Sequence, residues 1–260
     1  MRIDPSAASA IVLAFAAFPA QAQDKPAPFT GKVAIYSEYE YRGIAQTSED
    51  PALQLTLDYA HASGFHAGVF VSNVKWLEDT GEVLRIPSDA NLEVRARAGY
   101  RRSIAPGWAI DVGALRYQYP SSDGFGTALG SPNTTELYAG AAWGPATLKY
   151  YYATTRLFGV PESKGSDYLE LAISRPVLDG LVLNASVGHQ RYKGTQPAAG
   201  NFDNGNFDYT DWKLGATYDF RNGVTAGAYY KGTNADPVYF SFTGKDWSRD
   251  RLVGFVAYSF

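Results

Sequence analysis

The chain has 260 residues, of which 45% are apolar and 19% are charged, and this balance excludes an intrinsically disordered protein. The net charge is -3 and no Lys/Arg cluster runs through the chain, which argues against nucleic acid as a partner. The sequence contains no Cys, so disulfides, thiol catalysis and thiolate metal sites are excluded.

The N-terminus predicts a secretory signal peptide. A small apolar run at 7–18 is followed by an A-x-A site at 20–22, which predicts cleavage before Gln23. The run is shorter than the ~20 apolar residues that a membrane-spanning helix needs. A buried or interfacial helix is the alternative. We therefore divide the chain into a signal peptide (1–22), a short periplasmic linker (23–30) and one domain (31–260).

Alternation of apolar and polar residues dominates the chain from Gly31 onward, and this period of two predicts β-strands. Many of the alternating segments run to ten or more residues. That length suits a tilted membrane strand, which needs ~9–11 residues, better than a soluble strand of ~5–6. We predict twelve strands, at 31–42, 51–61, 65–76, 90–101, 107–119, 134–144, 146–155, 167–176, 181–192, 208–220, 223–231 and 251–260.

The connections between these strands alternate in length. Even-numbered strands lead into short turns, and odd-numbered strands lead into the longer loops 43–50, 77–89, 120–133, 156–166, 193–207 and 232–250. Outer-membrane barrels show this alternation, with short periplasmic turns and long extracellular loops. We therefore predict an all-β fold, a transmembrane antiparallel up-and-down β-barrel of about 12 strands in the outer membrane of a Gram-negative bacterium. Loops 77–89 and 232–250 are candidates for folding inward and constricting the lumen.

The fifth predicted strand is less regular than the others. Its apolar face from Trp108 continues into Arg116 and Gln118. Either a β-bulge or emergence of the strand above the bilayer would explain this change.

Aromatic residues and the C-terminus add to the prediction of a barrel. Rings near the strand ends are expected to contact outer-membrane lipid at the membrane interfaces, although ordinary β-propensity is an alternative. These predicted interface residues are Phe65, Trp108, Trp143, Trp212, Phe220 and Phe260. The chain ends on Phe260 with Tyr258 two positions before it, which is similar to the signal that outer-membrane barrels present to the barrel-assembly machinery. An ordinary final strand is the alternative.

A distinctive pattern begins near the end of the first predicted strand. The residues are S-E-Y-E-Y-R-G-I-A-Q-T at 37–47, P-A-L-Q at 51–54 and S-G-F-H-A-G at 63–68. This stretch resembles the opening of the TorF family of porins, whose members start with S-D-Y-x-x-R-G-x-S-Q-T. Glu38, Ala45 and His66 depart from the usual Asp, Ser and Tyr of that family. The resemblance implies a porin and names no solute.

With apolar faces outward, the polar face of each strand is expected to line the barrel interior. On the first predicted strand this arrangement puts Tyr39 and Tyr41 on the lipid side. An interior this charged needs water or extensive ion pairing. The predicted pore-lining residues are Glu38, Glu40, Arg42, Asp58, Glu93, Arg95, Arg97, Glu136, Lys149, Glu170, Lys213 and Asp219.

Strand number bounds the width of the lumen. Eight strands leave an interior that side chains can fill, and ~16–18 leave an open aqueous channel, so twelve lie between these cases. Our hypothesis is a narrow, water-filled lumen that passes small hydrophilic solutes or ions by diffusion. We expect its selectivity to be set by Glu38, Arg42, Arg95 and Arg97. These residues could instead only cross-brace the barrel wall.

Two other functions remain open at this point. The first is an outer-membrane lipid-modifying enzyme, for which His189 is the best candidate base. No Ser lies near His189 in the sequence and no G-x-S-x-G elbow exists, so we predict no enzyme and no catalytic residue. The second is a closed structural or adhesive barrel whose long loops bind another surface. We predict no cofactor and no metal, because turn chemistry explains the Asp/Asn/Gly cluster at 203–208 as well as calcium does.

Overall fold

A computed structural model describes residues 28–86 and 88–260, apart from the side chains of Ala128 and Leu129. The predicted signal peptide (1–22) and most of the predicted linker (23–30) lie outside these described residues. Within the described part of the chain, no helix is long and apolar enough to span a membrane.

Twelve strands form one closed antiparallel barrel, and the predicted fold class is confirmed. Each strand pairs with its neighbours along the chain, and the first strand pairs with the last. In chain order the strands are β1 (Phe29–Tyr36), β2 (Ala52–Ala60), β3 (Phe65–Asn73), β4 (Leu92–Ala105), β5 (Trp108–Gln118), β6 (Thr134–Trp143), β7 (Ala146–Ala153), β8 (Asp167–Leu178), β9 (Leu181–Arg191), β10 (Tyr209–Asp219), β11 (Val224–Thr233) and β12 (Arg251–Ser259).

Closure of the barrel depends on the pairing of β1 with β12. Tyr36 lies opposite Phe255, and Lys32 lies opposite Ser259. Just beyond the end of β12, Phe260 exchanges two backbone hydrogen bonds of 2.8 and 2.9 Å with Gly31. A closed ladder leaves no open edge, so the peptide groups are satisfied without water, as hydrocarbon requires.

The barrel wall is apolar outside and polar inside, the reverse of a soluble barrel. On β10, Leu214 is 61% exposed, whereas the neighbouring Lys213 is 6% exposed and faces the interior. The same alternation follows the other strands, because successive side chains of a strand point to opposite faces. Lipid covers an exposed apolar belt of this kind around a closed antiparallel barrel. This chain therefore lies in the bacterial outer membrane.

The predicted strand positions match the structure to within four residues at each end, except at the first strand. β1 ends at Tyr36, which pairs directly with Ala52 of β2, whereas the prediction extended the strand to residue 42. The prediction was wrong because the alternating pattern continues past Tyr36 into a loop. Residues 37–51 form this first long loop, which turns into the barrel.

The irregular outer face of β5 does not contain a bulge. β5 pairs with β6 without a register shift from Trp108 to Tyr117, and its pairing with β4 shifts only between Ser103 and Ala105, next to the short turn. Arg116 therefore continues the outward face at the long-loop end, where it donates a hydrogen bond of 2.9 Å to Thr135. Of the two explanations offered by the sequence, emergence above the lipid belt fits this register.

The long loops contain short helices that were not predicted from the sequence. They are α1 (Trp76–Leu84) in the second long loop, α2 (Asp123–Leu129) in the third and α3 (Pro237–Phe240) in the sixth. Leu77 of α1 and Trp247 of the sixth loop are buried, so both loops pack over the end of the barrel at which the long loops lie.

A charge on the lipid-facing side of β10 tests the orientation of the wall. Replacing Leu214 with Arg should lower the free energy of unfolding in liposomes by about 2–4 kcal/mol, because Leu214 lies midway along a spanning strand. Val238→Arg is the matched control, since Val238 is 78% exposed in a long loop, and its effect should stay within about 0.5 kcal/mol. Equal losses in the two variants would contradict the orientation.

Candidate functional site

The first long loop forms a small hairpin inside the barrel, which we call the plug hairpin (residues 40–45). Glu40 pairs with Ala45 and Tyr41 pairs with Ile44. Arg42 and Gly43 form the two-residue turn, with φ values of 48° and 77°. Positive φ at both positions is the type I′ turn that tight hairpins prefer. The side chain of Arg42 at the hairpin tip is almost completely buried.

Arg42 reaches the barrel wall on two strands. Its Nη1 and Nη2 atoms donate hydrogen bonds of 2.9 and 2.8 Å to the two carboxylate oxygens of Glu136 on β6. Nη1 also donates a bond of 3.0 Å to Oε1 of Gln190 on β9. The Tyr117 hydroxyl donates a further bond of 3.1 Å to Glu136. Arg42 is thus held by a bidentate, buried ion pair.

Tyrosine rings surround the same guanidinium group. Its carbon atom lies 4.9 Å from the ring centre of Tyr41, 4.9 Å from that of Tyr151 and 4.4 Å from that of Tyr168. Contacts at these distances add cation–π attraction to the ion pair. Tyr151 and Tyr168 belong to the wall strands β7 and β8, so the wall itself provides a cation-binding surface.

The base of the plug hairpin contacts the opposite part of the wall. Oε2 of Glu40 lies 2.7 Å from Nζ of Lys213 on β10, and the other carboxylate oxygen accepts a short hydrogen bond from the Gly43 backbone. Lys231 on β11 donates a hydrogen bond of 2.9 Å to the carbonyl oxygen of Gly43. A Cβ atom at Gly43 would collide with Asp211, so only glycine fits this turn.

Residues on either side of the hairpin fix the rest of the first long loop. Glu38 accepts two hydrogen bonds of 2.7 and 2.8 Å from Nη1 of Arg251 at the start of β12. At the outer end of the loop, Lys75 donates a 2.8 Å hydrogen bond to Asp50, and this bond lowers the pKa of the Asp50 carboxyl. The loop is therefore attached both to the wall and to its neighbouring loop.

Tyr39 and Tyr41 lie inside the barrel, so their predicted lipid-facing position was wrong. Tyr39 donates a hydrogen bond of 3.1 Å to Glu93, and Arg95 donates one of 2.6 Å to Tyr39. The Tyr41 and Tyr117 hydroxyls are 2.5 Å apart. The error has the same origin as the overextended first strand, because residues beyond Tyr36 no longer follow the inside–outside alternation of the wall.

The plug hairpin and the side chains around it close the half of the lumen near the long loops. Every one of the twelve strands contributes a buried, inward-facing residue to this half. In strand order they are Tyr36, Gln54, Ser72, Glu93, Tyr117, Glu136, Ala153, Tyr168, Gln190, Asp211, Lys231 and Val253. The water-filled lumen expected from the sequence is thus occupied at this level by protein.

The half near the short turns is more open. Arg97 pairs with Asp58 at 2.7 Å, and its side chain is 35% exposed. His66 and Arg101 both contact Asp111, at 2.8 and 3.3 Å. A cavity of about 210 Å³ at this end is lined by Thr30, Gly31, Lys32, Thr56, Asp58, Ser259 and Phe260. We call this half the vestibule.

The remaining predicted pore-lining residues also lie on inward-facing positions. Lys149 on β7 stands directly opposite Glu170 on β8 in the strand register. Asp219 ends β10 near a short turn, where it accepts a hydrogen bond of 2.8 Å from the Arg221 backbone. The structure thus brings Glu38, Glu40 and Arg42 together with wall groups, whereas Asp58, Arg97 and Asp219 lie toward the short-turn end.

Several groups of the site were not singled out from the sequence. They include the wall residues Lys231 and Arg251, which bind the first long loop, and the tyrosines that contact Arg42. Lys231 lies two positions after the inward-facing Tyr229 on the same strand, so the period-two alternation could have predicted that it faces the lumen. Tyr41 was expected on the lipid side, and Tyr151 and Tyr168 were not chosen because the pore-lining prediction was limited to charged residues.

The predicted interface aromatics all lie on the outer surface or at its edge. Trp108 and Trp143 stack on adjacent strands with ring centres 5.8 Å apart, and Trp212 packs beside Tyr230 at 5.6 Å. The side chains of Phe65, Phe220 and Phe260 are exposed near the short turns. Contact of these rings with the lipid interface stays a proposal.

The three histidines have simple hydrogen-bond partners. His189 faces outward on β9, where its Nδ1 atom lies 2.9 Å from the Thr210 hydroxyl. His61 and Ser63 are 2.6 Å apart within an exposed short turn. His66 contacts Asp111 in the vestibule, as described above. These contacts are explained by turn and wall structure.

The polar cluster at 203–208 fastens the long loops to each other. Asn204 donates hydrogen bonds of 2.8 Å to the carbonyl oxygens of Pro161 and Lys193. Asp203 accepts a bond of 2.9 Å from the Gly205 backbone. Across residues 28–86 and 88–260, no group of three or more His, Asp or Glu side chains is arranged to hold a metal ion.

A family model described as "Bacterial protein of unknown function (Gcw_chp)" matches residues 20–260. The chain belongs to this family. A search of curated proteins gives no significant match.

Two solved structures with a similar fold are described as porins. The "KdgM porin" is 10% identical, with a TM-score of 0.54 over 89% of this chain and 99% of that chain. The "NanC porin" structure is also 10% identical, with a TM-score of 0.54 over 88% of this chain and 98% of that one. At this identity the likeness shows a porin-like fold. It does not identify the TorF family specifically.

Removing the guanidinium of Arg42 tests the buried ion pair. Arg42→Ala should lower the free energy of unfolding by up to about 3–5 kcal/mol, because the carboxylate of Glu136 is left without its partner. The double variant with Glu136→Gln should recover part of this loss. Arg116→Ala is the matched control, since Arg116 is exposed outside the barrel, and its effect should stay within about 0.5 kcal/mol. Equal effects of the two single variants in urea unfolding would contradict a structural role for the pair.

Proposed function

We propose that this chain is an outer-membrane porin through which small hydrophilic solutes or ions diffuse passively. The charged inner wall supports this function more than any other observation. A barrel that served only as an anchor could fill its interior with apolar side chains, and burying charges instead is costly unless they are paired. Here charged groups run from the vestibule, where Arg97 is partly exposed, to the plug hairpin near the long loops.

The structural comparisons support the same class of function. One solved structure is described as the "KdgM porin in complex with disordered oligogalacturonate", with a TM-score of 0.51 over 89% of this chain and 98% of that chain. Another protein with a similar fold thus binds oligogalacturonate. We also propose that the chain belongs with the TorF porins, as its first long loop suggests, and that a signal peptide (1–22) directs its export.

The proposed selectivity residues fall into two groups. Arg97 lies in the vestibule, where a passing ion can approach its partly exposed side chain. Glu38, Arg42 and Arg95 instead make buried ion pairs around the plug hairpin. Cross-bracing and pore lining are therefore compatible roles, since a group can brace the closed lumen and line it when water enters.

A closed structural or adhesive barrel is the second candidate function. The ring of buried residues that all twelve strands contribute favours it, because protein fills the lumen at that level. Such a barrel would fold and insert normally but pass no current. An outer-membrane lipid enzyme is not favoured, since the candidate base His189 faces outward and bonds the hydroxyl of Thr210.

Single-channel recording tests the porin proposal. Protein purified from the outer membrane of a host that expresses the full chain should give discrete conductance steps in a planar bilayer. Arg97→Ala should shift the reversal potential in a salt gradient toward greater cation selectivity, because a positive charge leaves the vestibule. Arg116→Ala, which removes an exposed arginine from the outer surface, should leave the reversal potential unchanged. A folded wild-type barrel without current would favour the closed-barrel candidate, and an unchanged reversal potential in Arg97→Ala would exclude Arg97 from the pore lining.

We further propose that Tyr258 and Phe260 present an assembly signal to the barrel-assembly machinery. Both side chains are exposed on the outer surface, and their rings stack with centres 6.3 Å apart. Phe260→Ala should reduce the amount of heat-modifiable, folded barrel in the outer membrane. Phe65→Ala is the control, because Phe65 is also exposed near a short turn but lies far from the C-terminus. Equal reductions would indicate a general loss of aromatic contacts with lipid.

A further inference from the structure

The closed half of the lumen implies a moving part, if the chain is the porin proposed above. Every strand contributes a buried, inward-facing side chain to this half, so a solute crossing the barrel must take the place of some of this protein. The wall strands are joined by a continuous ladder of backbone hydrogen bonds and cannot easily move apart. The plug hairpin is a separate two-stranded sheet outside this ladder. It is therefore the part that can leave.

Charged side chains make the main contacts between the first long loop (37–51) and the wall. Glu38 pairs with Arg251, Glu40 with Lys213, and Arg42 with Glu136. Each of these wall groups is buried or nearly so behind the loop. When the loop leaves, each wall group needs a new partner, either water or a charged solute.

The two signs of charge lie on different sides of the barrel. The carboxylates of the loop contact cationic groups on β10 and β12, and Lys231 on β11 adds a third cation to this arc. The guanidinium of the loop contacts Glu136 on β6. β6 and β12 are six positions apart in a ring of twelve strands, so Arg251 and Glu136 face each other across the lumen.

Other charged groups modify this division without reversing it. Asp211 on β10 accepts a hydrogen bond of 3.0 Å from the Tyr168 hydroxyl, and Arg95 is paired with Glu93. Glu170 stands opposite Lys149 in the strand register. Asp211 and Glu93 thus have partners within the wall, and Arg95 bonds both Glu93 and Tyr39 of the loop. The ion-pair partners of Glu136, Lys213 and Arg251 all lie on the loop.

We propose that the plug hairpin and the adjoining Glu38 occupy a binding site for small zwitterionic solutes, and that such a solute replaces them as it passes through the barrel. The solute carboxylate takes the place of Glu38 or Glu40 against Arg251 and Lys213. Its ammonium group takes the place of Arg42 beside Glu136 and the rings of Tyr151 and Tyr168. A solute with a single charge leaves the opposite wall without a partner, and it therefore competes less well with the hairpin.

The first experiment removes the plug hairpin together with the loop residues on either side of it, and we call the result the plug-free barrel. Tyr36 and Ala52 pair directly, so residues 38–51 can be replaced by Asn-Gly-Thr, which closes a tight hairpin between β1 and β2 and supplies the turn N–H that Pro51 lacks. This variant should still migrate as a heat-modifiable barrel and should conduct several-fold more current than the wild type. Deleting residues 197–201 is the matched control, because it shortens another outer loop whose residues there are all exposed. The control should conduct like the wild type.

A point variant guards against failure of the shortened chain to fold. Arg42→Gln keeps a polar side chain but removes the charge that binds Glu136. It should raise the fraction of time that single channels spend open. Arg116→Ala, on the outer surface, should not change this fraction.

The second experiment identifies the solute class with four compounds of similar size. They are glycylglycine (a zwitterion), N-acetylglycine (an anion), glycinamide (a cation) and N-acetylglycinamide (uncharged). In wild-type channels glycylglycine should raise the open fraction most. In channels without the plug it should interrupt the current for longer than the other three compounds. Both Glu136→Gln and Lys213→Gln, introduced into the plug-free channel, should shorten these interruptions.

The possible outcomes separate this inference from the porin proposal. If neither the wild type nor the plug-free barrel conducts, the porin proposal itself fails. If both conduct equally and Arg42→Gln does not alter the open fraction, the chain is a porin but the hairpin is not its plug. If removing the plug raises conductance but the four compounds act alike, the hairpin is a plug and the zwitterion site is wrong.

Discussion

Hydrocarbon offers no hydrogen-bond partner to a peptide group, and this constraint determines the rest of the structure. It requires a closed ladder, which the pairing of β1 with β12 completes. Closure in turn gives every strand one face toward lipid and one toward the lumen. Because all inward side chains share this enclosed space, a charge placed there must find an opposite charge, a tyrosine hydroxyl or water. The paired groups of the lumen, such as Asp58 with Arg97 and Glu93 with Arg95, follow from this requirement.

The same requirement explains the composition of the first long loop. A loop inside the lumen meets a polar wall, so its own side chains must be polar where they contact that wall. Glu38, Glu40 and Arg42 each bind a wall group of opposite charge. The Arg-Gly sequence at its tip has a separate cause, because a type I′ turn needs positive φ at both positions and the close approach of Asp211 leaves no room for a Cβ at Gly43. The stretch at 37–47 that resembles the TorF pattern thus contains the plug hairpin.

The sequence predicts the barrel well because strand formation in lipid is signalled locally. Period-two alternation and the contrast between short turns and long loops identify all twelve strands, with a serious error only at the first. That error arose because E-Y-E-Y-R continues the alternation of β1 after the strand has ended at Tyr36. The Arg-Gly pair that follows is the local signal of a second, tight hairpin. The partners of that hairpin could not be predicted, because Glu136 and Arg251 lie far away in sequence and only the closed ring brings them together.

The chemistry of the plug bears on whether it can move. An apolar plug in an apolar wall would be held by the hydrophobic effect, which a hydrophilic solute cannot replace. A plug held by ion pairs is different, because its attraction to the wall weakens as water enters and the local dielectric constant rises. A solute with the same charges then offers the wall the contacts that the loop gives up. Ionic contacts therefore keep the lumen closed and still allow a solute to replace the loop. Apolar side chains that pack against the loop, such as Phe70 beside Tyr39, limit how readily it departs.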